Sequence, residues 1–530
     1  MKDQPRNLLL DDLAQMAKGG IAESANALTN EEFFRYHMPI PEHQRILSRE
    51  ILLVLGGRGA GKSQLFQALR RLSDPAQLAI SERMSQPANM SDVRIDYMVG
   101  FEKHGTAFPA AEDISAVLGG DPAQISRLLW LGLLAGVLLA SNMHHDVFTS
   151  QLPGELVRQL QEALASPSRW LAALSKHLED LNRALDHVER RLESDKASLV
   201  VTYDDLDVLA AKLTQVYPLV RELLALWLDR SRRWNRLRCK IFLRTDIFSA
   251  EALSFADSSK LRPNSLTLTW SQENLYWLLI KRLLNGDQAK LWKTYFASCV
   301  SDSPWKKVEP WGTVPRTSRE HHQKIVGKMI GTYMGTDPKR GETYRWFFNH
   351  LQDSRGMITP RSFLKLFENA AERQRQEGIQ RLCSDCLLSP SQIQGALQGV
   401  SIDRIAELAD EEYPWVSALK KTLSGNTVPM PREEFASLLK QTQWEGASRP
   451  RHFQPEGIID ELLGLGIVRE TDDKRIHVPD IYLYGFELKR KAASNVHSKA
   501  VSRLLARKRK KSNKKTARLF SAKSKRPIKE

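Results

Sequence analysis

Apolar residues run without a break over 51–55, "ILLVL", then yield to "GGRGAGKS" and to the helical repeat of "QLFQALRRL". This pattern predicts a buried strand, a tight loop and a helix from near Gly61 to about Leu72, where "SDP" supplies stop signals. The strand texture returns in "ASLVVTYDDLD" and "CKIFLRTDIF", with the helical "YPLVRELLALWLDRSRRW" between them. Alternating strands and helices predict an α/β core in which a parallel sheet is covered by helices.

The stretch between the first helix and "ASLVV" is far longer than one strand and one helix need, so a helical insertion is expected at about 105–195. Near it, "VRIDYMVGF" reads as a strand and "AQISRLLWLGLLAGVLLA" as a buried helix. The apolar run over 128–140 falls short of the roughly 18–20 residues that span a bilayer. "PSRWLAALSKHLEDLNRALDHVERRLES" reads as one long amphipathic helix whose seam is Leu171, Leu174, Leu178, Leu181, Leu185, Val188 and Leu192. That seam suits packing within the chain, or a self-associating coiled coil. Residues 1–40 are expected to be a helical segment and 301–342 an irregular insertion rich in Pro, Gly, Lys and Trp. Helices return over 343–427, including "SPSQIQGALQGV" and "SIDRIAELADEEYPWVSALKKTL" as separate elements. Two helices and a hairpin over 428–488 suggest a winged-helix-like unit.

A chain of 530 residues should divide into two to four domains. Its net charge of +16 is not spread evenly: 489–530 hold 17 Lys and Arg against one acid, leaving 61 of each sign elsewhere. A segment so basic and so poor in large apolar residues is expected to be disordered and to bind polyanions. The N-terminal stretch shows no basic and apolar signal pattern, and four cysteines without a dense framework fit a reducing cytoplasm, so a cytoplasmic setting is expected. Cys383 and Cys386 form a lone CxxC, which lacks the second pair of a zinc site.

Gly56, Gly61, Lys62 and Ser63 match GxxxxGK[ST] between a strand and a helix. The glycines let backbone N–H groups turn toward phosphates, the helix N-terminus adds a favourable dipole, and Lys62 places a cation near the β and γ positions. The expected nucleotide-binding residues are Gly56, Gly57, Arg58, Gly59, Ala60, Gly61, Lys62, Ser63 and Gln64, with ATP and Mg²⁺ as cofactors. Ser63 and Asp204 are the expected magnesium ligands, and Asp205 the carboxylate that polarises water. Arg244 ends the next strand, where it would report the γ-phosphate; Arg361 begins a later helix after Pro360, from which a lid could close. With Lys62, these make Asp205, Arg244 and Arg361 the catalytic candidates.

At "GGRGAGKS", "LVVTYDDLD", "IFLRTDIF", "LTLTWSQENLYWLLIKRLL", "TPRSFLKLF" and "VPDIYLYGFELKRK" the chain resembles the AAA+ and STAND class of P-loop ATPases, which includes origin-recognition initiators. It looks closest to bacterial members with a helical lid and terminal winged helix, some thought to act in phage defence. The resemblance spans about 40–490. It implies a P-loop NTPase domain over 41–300, a helical lid over 343–427, and first- and second-sensor roles at Arg244 and Arg361. Where AAA+ machines usually carry Asp-Glu this chain has Asp204-Asp205, which implies slow turnover and a switch. Arg230, Arg232, Arg233 and Arg236 could supply an arginine finger or an exposed basic face. The implied activity is ATP hydrolysis coupled to nucleic-acid or partner-protein binding through the winged helix and tail, with nucleotide-dependent homo-oligomers among the outcomes. The alternatives are a nucleotide-gated scaffold with negligible turnover and a DNA-binding regulator with a secondary ATPase.

Overall fold

The structure is a computed structural model that describes residues 3–16, 28–72, 94–103, 105–118, 122–141, 144–210, 213–248, 255, 258–383, 385–411, 413–444, 450 and 452–491. Strands β1 (Leu53–Gly56), β2 (Arg94–Phe101), β3 (Ala197–Tyr203), β4 (Leu237–Arg244) and β5 (Ser265–Thr267) form one sheet in the order β2-β3-β4-β1-β5. Every neighbouring pair is parallel. β1 starts two residues later than the apolar run and reaches Gly56, because its ladder pairs Leu53 with Ile241 and Gly56 with Arg244. Alternate residues bury on opposite faces: Leu53, Leu55, Ile241 and Leu243 enter one core, Val54 and Phe242 the other. A parallel sheet needs this burial on both sides.

Helix α1 (Asp3–Ala14) packs on the lid, while α2 (Lys62–Arg71) follows the phosphate loop. Across the other face lies α3 (Pro122–Ala140), apolar all round and therefore a core helix. By composition it could cross a membrane, yet 72% of its apolar window is buried inside the chain. Trp130 Nε1 donates to the Leu219 carbonyl at 2.8 Å, and the Trp170 ring fills the space that a side chain at Gly132 would need.

The single long helix expected after α3 is instead two, Pro167–Lys176 and α4 (Leu178–Ser194), broken at His177 (φ −117, ψ 28). The first half packs on α3 and the second on β3, two surfaces that one straight helix could not meet. Leu181, Leu185 and Val188 are fully buried there, so the seam is an internal one rather than a coiled coil. α5 (Leu213–Arg230) completes this layer and leads to β4.

On the first face, α6 (Gln272–Asn285) carries the buried Lys281, whose ammonium donates to the Phe34 and Arg35 carbonyls at 3.0 and 2.9 Å. This ties the N-terminal segment to the core. Residues 301–342 are more regular than their composition predicts. Trp305–Val308 and Gly312–Pro315 form an antiparallel hairpin, and Arg319–Met329 is a helix capped by Ser318. Pro310 sits in the hairpin's turn and Gly312 opens its second strand, so the residues that suggested irregularity punctuate two strands.

The helical lid consists of Thr343–Leu351, α7 (Pro360–Glu377), α8 (Pro390–Glu411) and Val416–Leu423. α8 runs through Gly399, where two helices were expected, and the chain turns at Pro414 instead. Cys383 and Cys386 are joined in a disulfide, a departure from what a reducing compartment leads one to expect; Arg6 donates to both their carbonyls, at 2.9 and 2.7 Å.

Helices Arg432–Lys440 and Pro455–Gly464 with an antiparallel sheet of Met430–Pro431, Arg475–His477 and Arg469–Glu470 make a winged-helix-like unit. Lys489–Arg490 pair with Thr427–Val428, so the first cations of the basic segment belong to this unit. The rest of that segment, 492–530, lies outside the described residues.

Candidate functional site

Because β4 lies between β1 and β3, three strand ends bring Gly56, Arg244 and Asp204 side by side. After Gly56 the loop turns through Gly59 (φ 72) and Gly61 (φ 98), both in the left-handed region that side chains resist. Gly59 is further constrained by the lid, since a Cβ there would lie 3.3 Å from Arg361 Cβ. Lys62 Nζ donates to the Gly56 and Gly57 carbonyls at 3.2 and 3.3 Å, and Trp270 Nε1 to the Ala60 carbonyl at 2.8 Å. Gly61 caps α2 without a side-chain hydrogen bond, so the first-turn amides face an anion position. Burial lowers the pKa of Lys62, against the opposing pull of Asp204 and Asp207.

Asp204 is 4% exposed, and its carboxylate accepts the Ser63 hydroxyl. Burial, then the adjacent Asp205 charge, push it up to about 7, while Lys62 and Ser63 pull the other way. Asp205 occupies the left-handed region (φ 56), which Asp tolerates better than most residues, and this turn ends the strand. Among the described residues no three His, Cys, Asp or Glu side chains converge as a metal cage. Magnesium is usually held by one or two carboxylates together with substrate phosphates. Ser63 and Asp204 supply hard oxygen donors of this kind.

Arg244 is buried and forms two bonds to Asp246, Nη2 to Oδ2 at 2.8 Å and Nε to Oδ1 at 3.1 Å. Its Nη1 donates to Asp207 at 3.3 Å. Asp246 in turn accepts the Tyr413 hydroxyl from the lid at 2.6 Å. Burial opposes the Asp246 charge, but Arg244 and Tyr413 outweigh it and hold the carboxyl below its ordinary range. Thr359 caps α7 by accepting the Ser362 amide at 3.2 Å, which places Arg361 in the first turn; its guanidinium meets Glu407 at 3.5 Å.

Arg58, Gly59, Gly61, Lys62, Ser63, Gln64, Asp204, Asp205, Arg244 and Arg361 all line one cavity of about 490 Å³. Gly57 and Ala60 face an adjoining cleft of about 270 Å³, and Gly56 takes part through its carbonyl on Lys62. The cluster after α5 lies at the other end of the sheet. There Arg230 donates to Asn182 and covers the Trp234 ring, and Arg233 pairs with Asp186 at 2.8 Å, so packing accounts for these two arginines.

The sequence reading missed the cavity's other wall. His37, His43 and Trp270 line it, as does Glu102, which follows β2 and accepts Arg70 at 2.7 Å. His43 Nδ1 accepts the Ile40 amide at 3.4 Å, which puts the ring proton on Nε2, an atom without a hydrogen-bond partner among the described residues. Burial pushes this imidazole down to about 3, so the ring is neutral. The available signal was "YHMPIPEH", where two prolines interrupt the helical pattern between two histidines.

A parallel sheet with a GxxxxGKS loop after its inner strand β1, carboxylates at the end of β3, a helical lid and a winged-helix-like unit define an α/β P-loop NTPase fold. No family model matches the chain, and no curated protein does. Among solved structures it is similar to the ORC2 protein of Aeropyrum pernix in its ADPNP–ADP complexes, at 12% identity, 83% of this chain, 89% of that one and a TM-score of 0.34. It is also similar to Cdc6p of Pyrobaculum aerophilum (12% identity, 92% and 94% of the two chains, TM-score 0.26). A third is the Aeropyrum pernix ORC1 protein in complex with DNA (13%, 91% and 92%, TM-score 0.29). At this overlap the class rests on the sheet and the loop themselves.

Proposed function

We propose that this chain binds and hydrolyses ATP with Mg²⁺ and uses the nucleotide to set the lid, and with it the contacts of the winged-helix-like unit with nucleic acid or a partner protein. One observation carries the reading: Lys62, Ser63, Asp204, Asp205, Arg244 and Arg361 share a single cavity. Lys62 and the first-turn amides of α2 would bind the β and γ phosphates, while Ser63 and Asp204 would hold magnesium, which spreads phosphoryl charge when bound. Asp205 would orient the attacking water; Arg244 and Arg361 would meet charge that develops on the γ oxygens. Turnover of wild type against Asp205→Ala tests this. Loss of about 100-fold in kcat with binding retained is expected for a residue that activates water, and equal rates would refute its role.

A scaffold that binds tightly and hardly turns over is favoured by Arg244, whose charge is already met by Asp207 and Asp246. Tight binding with a background rate in the same assay would select it. The nucleic-acid part is supported by the 14 Lys and Arg of 492–530, which follow the winged-helix-like unit in the sequence. Truncation should begin at 492, because Lys489 and Arg490 are strand residues and Arg490 is paired with Asp480. On duplex DNA the log–log salt slope of binding should fall by roughly 0.9 per phosphate contact removed. Unchanged affinity and slope would take the tail out of this reading.

A further inference from the structure

Two arginines face the phosphate loop, and both are tied to one end of one lid helix. Glu407, in the last turns of α8, meets Arg361 at 3.5 Å and also Arg404 at 3.6 Å and Lys365 at 3.8 Å. Both partners of the Arg361–Glu407 pair are less than a fifth exposed, so the contact is shielded from solvent. Tyr413 comes two residues after α8 and is held to it by its amide, which donates to the Leu408 carbonyl at 2.7 Å. Its hydroxyl donates to Asp246, the carboxylate that grips Arg244 in two bonds. Arg244 and Arg361 stand more than a hundred residues apart and on different elements, yet Arg361 is held directly by Glu407 of α8, and Arg244, through Asp246, by Tyr413 just beyond its end.

A γ-phosphate entering the cavity would have to compete with Glu407 for Arg361, and with Asp246 and Asp207 for Arg244. A shift of α8 would change both competitions at once. We propose that Glu407 and Tyr413 are positioning residues that couple the lid to both arginines, so that the preference for triphosphate over diphosphate depends on where α8 sits. This rests on the nucleotide reading above and adds its regulation.

The test uses the full chain with Mg²⁺ and compares affinities for ADP and for a non-hydrolysable ATP analogue. Glu407→Gln removes the charge that occupies Arg361, and the triphosphate preference should rise about three- to tenfold, a coupling of ordinary allosteric size. Tyr413→Phe keeps the ring but unties Asp246, which loosens the aim of Arg244, and the preference should fall by about the same factor. In both variants ADP affinity should stay within about twofold of wild type, which a merely structural defect would not allow. Lys62→Ala serves as the site control. Wild-type preference in both variants, with binding lost in Lys62→Ala, would overturn the coupling and leave the nucleotide reading intact. Equal weakening of both nucleotides would overturn it too, since that marks a structural role. If wild type binds neither nucleotide, the nucleotide reading itself falls, and the coupling with it.

Discussion

Lys62, Ser63, Asp204 and Arg244 reach the cavity from a loop and the ends of adjacent parallel strands, whereas Arg361 reaches it from a helix far downstream and Tyr413, just after α8, meets Asp246, the carboxylate bonded to Arg244. The first group is fixed by ladder hydrogen bonds and by cores on both faces of the sheet. The second sits on the lid, whose Phe363, Leu364 and Phe367 share the first face's apolar core, and it meets the strand ends through the Tyr413 bond to Asp246 and the close packing of Gly59 on Arg361. The strand-borne half is locked by its ladder, whereas the lid-borne half is held by side-chain packing and single hydrogen bonds that a ligand can rearrange, so the first should behave as a fixed receptor and the second as the part that responds.

The largest effect should come from the fixed half. Lys62→Ala removes the cation that would meet the phosphates and should weaken ATP and ADP alike by about 100-fold or more, the cost of deleting one partner of a buried charge pair. Competition titration checks this, and comparable affinity in the variant would break the contrast at its root.

Next comes pH. Asp204 must give up its proton to accept a cation, and its carboxyl sits at about 7 rather than 3.8. Mg²⁺-dependent ATP affinity should therefore rise up to about tenfold per unit below that value and level off above it. Asp204→Asn should give low, flat affinity. Stability carries the opposite sign: a folded-state pKa above the unfolded one makes a contribution that is present at low pH and is lost as pH rises through about 7. Thermal unfolding of wild type and Asp204→Asn across pH 5–8 should show this slope only in wild type.

A smaller effect belongs to the seam between the halves. Gly59→Ala forces a side chain into the left-handed region and toward Arg361, at a cost of about 1–2 kcal/mol. The melting temperature should drop accordingly, and the lid should sit less closely on the loop.

How much was legible follows the same division. Strands β1 to β4, the GxxxxGKS loop and the carboxylates at 204 and 205 are local patterns, and each was read close to where it stands, whereas the three-residue β5 is too short to show a pattern of its own. Arg361 was readable because Pro360 and Thr359 mark a helix start. Its partner Glu407 was not, since one acid on a charged helix looks like any other until α7 and α8 pack together. His43 was hidden for the same reason: only the fold brings residues 37–43 over the loop, held by Lys281 through the Phe34 and Arg35 carbonyls. The break at His177 escaped because an unbroken seam says nothing of the two surfaces it must serve. The hairpin over 305–315 escaped because Pro and Gly mark turns without showing what lies between them.

The claim that both halves meet on one nucleotide is tested most directly by Arg361→Ala, through its affinities for ATP and ADP measured side by side with Mg²⁺. The account predicts ATP weakened by about tenfold and ADP nearly unchanged, the loss of a charge-assisted contact to the γ-phosphate alone. Wild-type affinity for both nucleotides would contradict it.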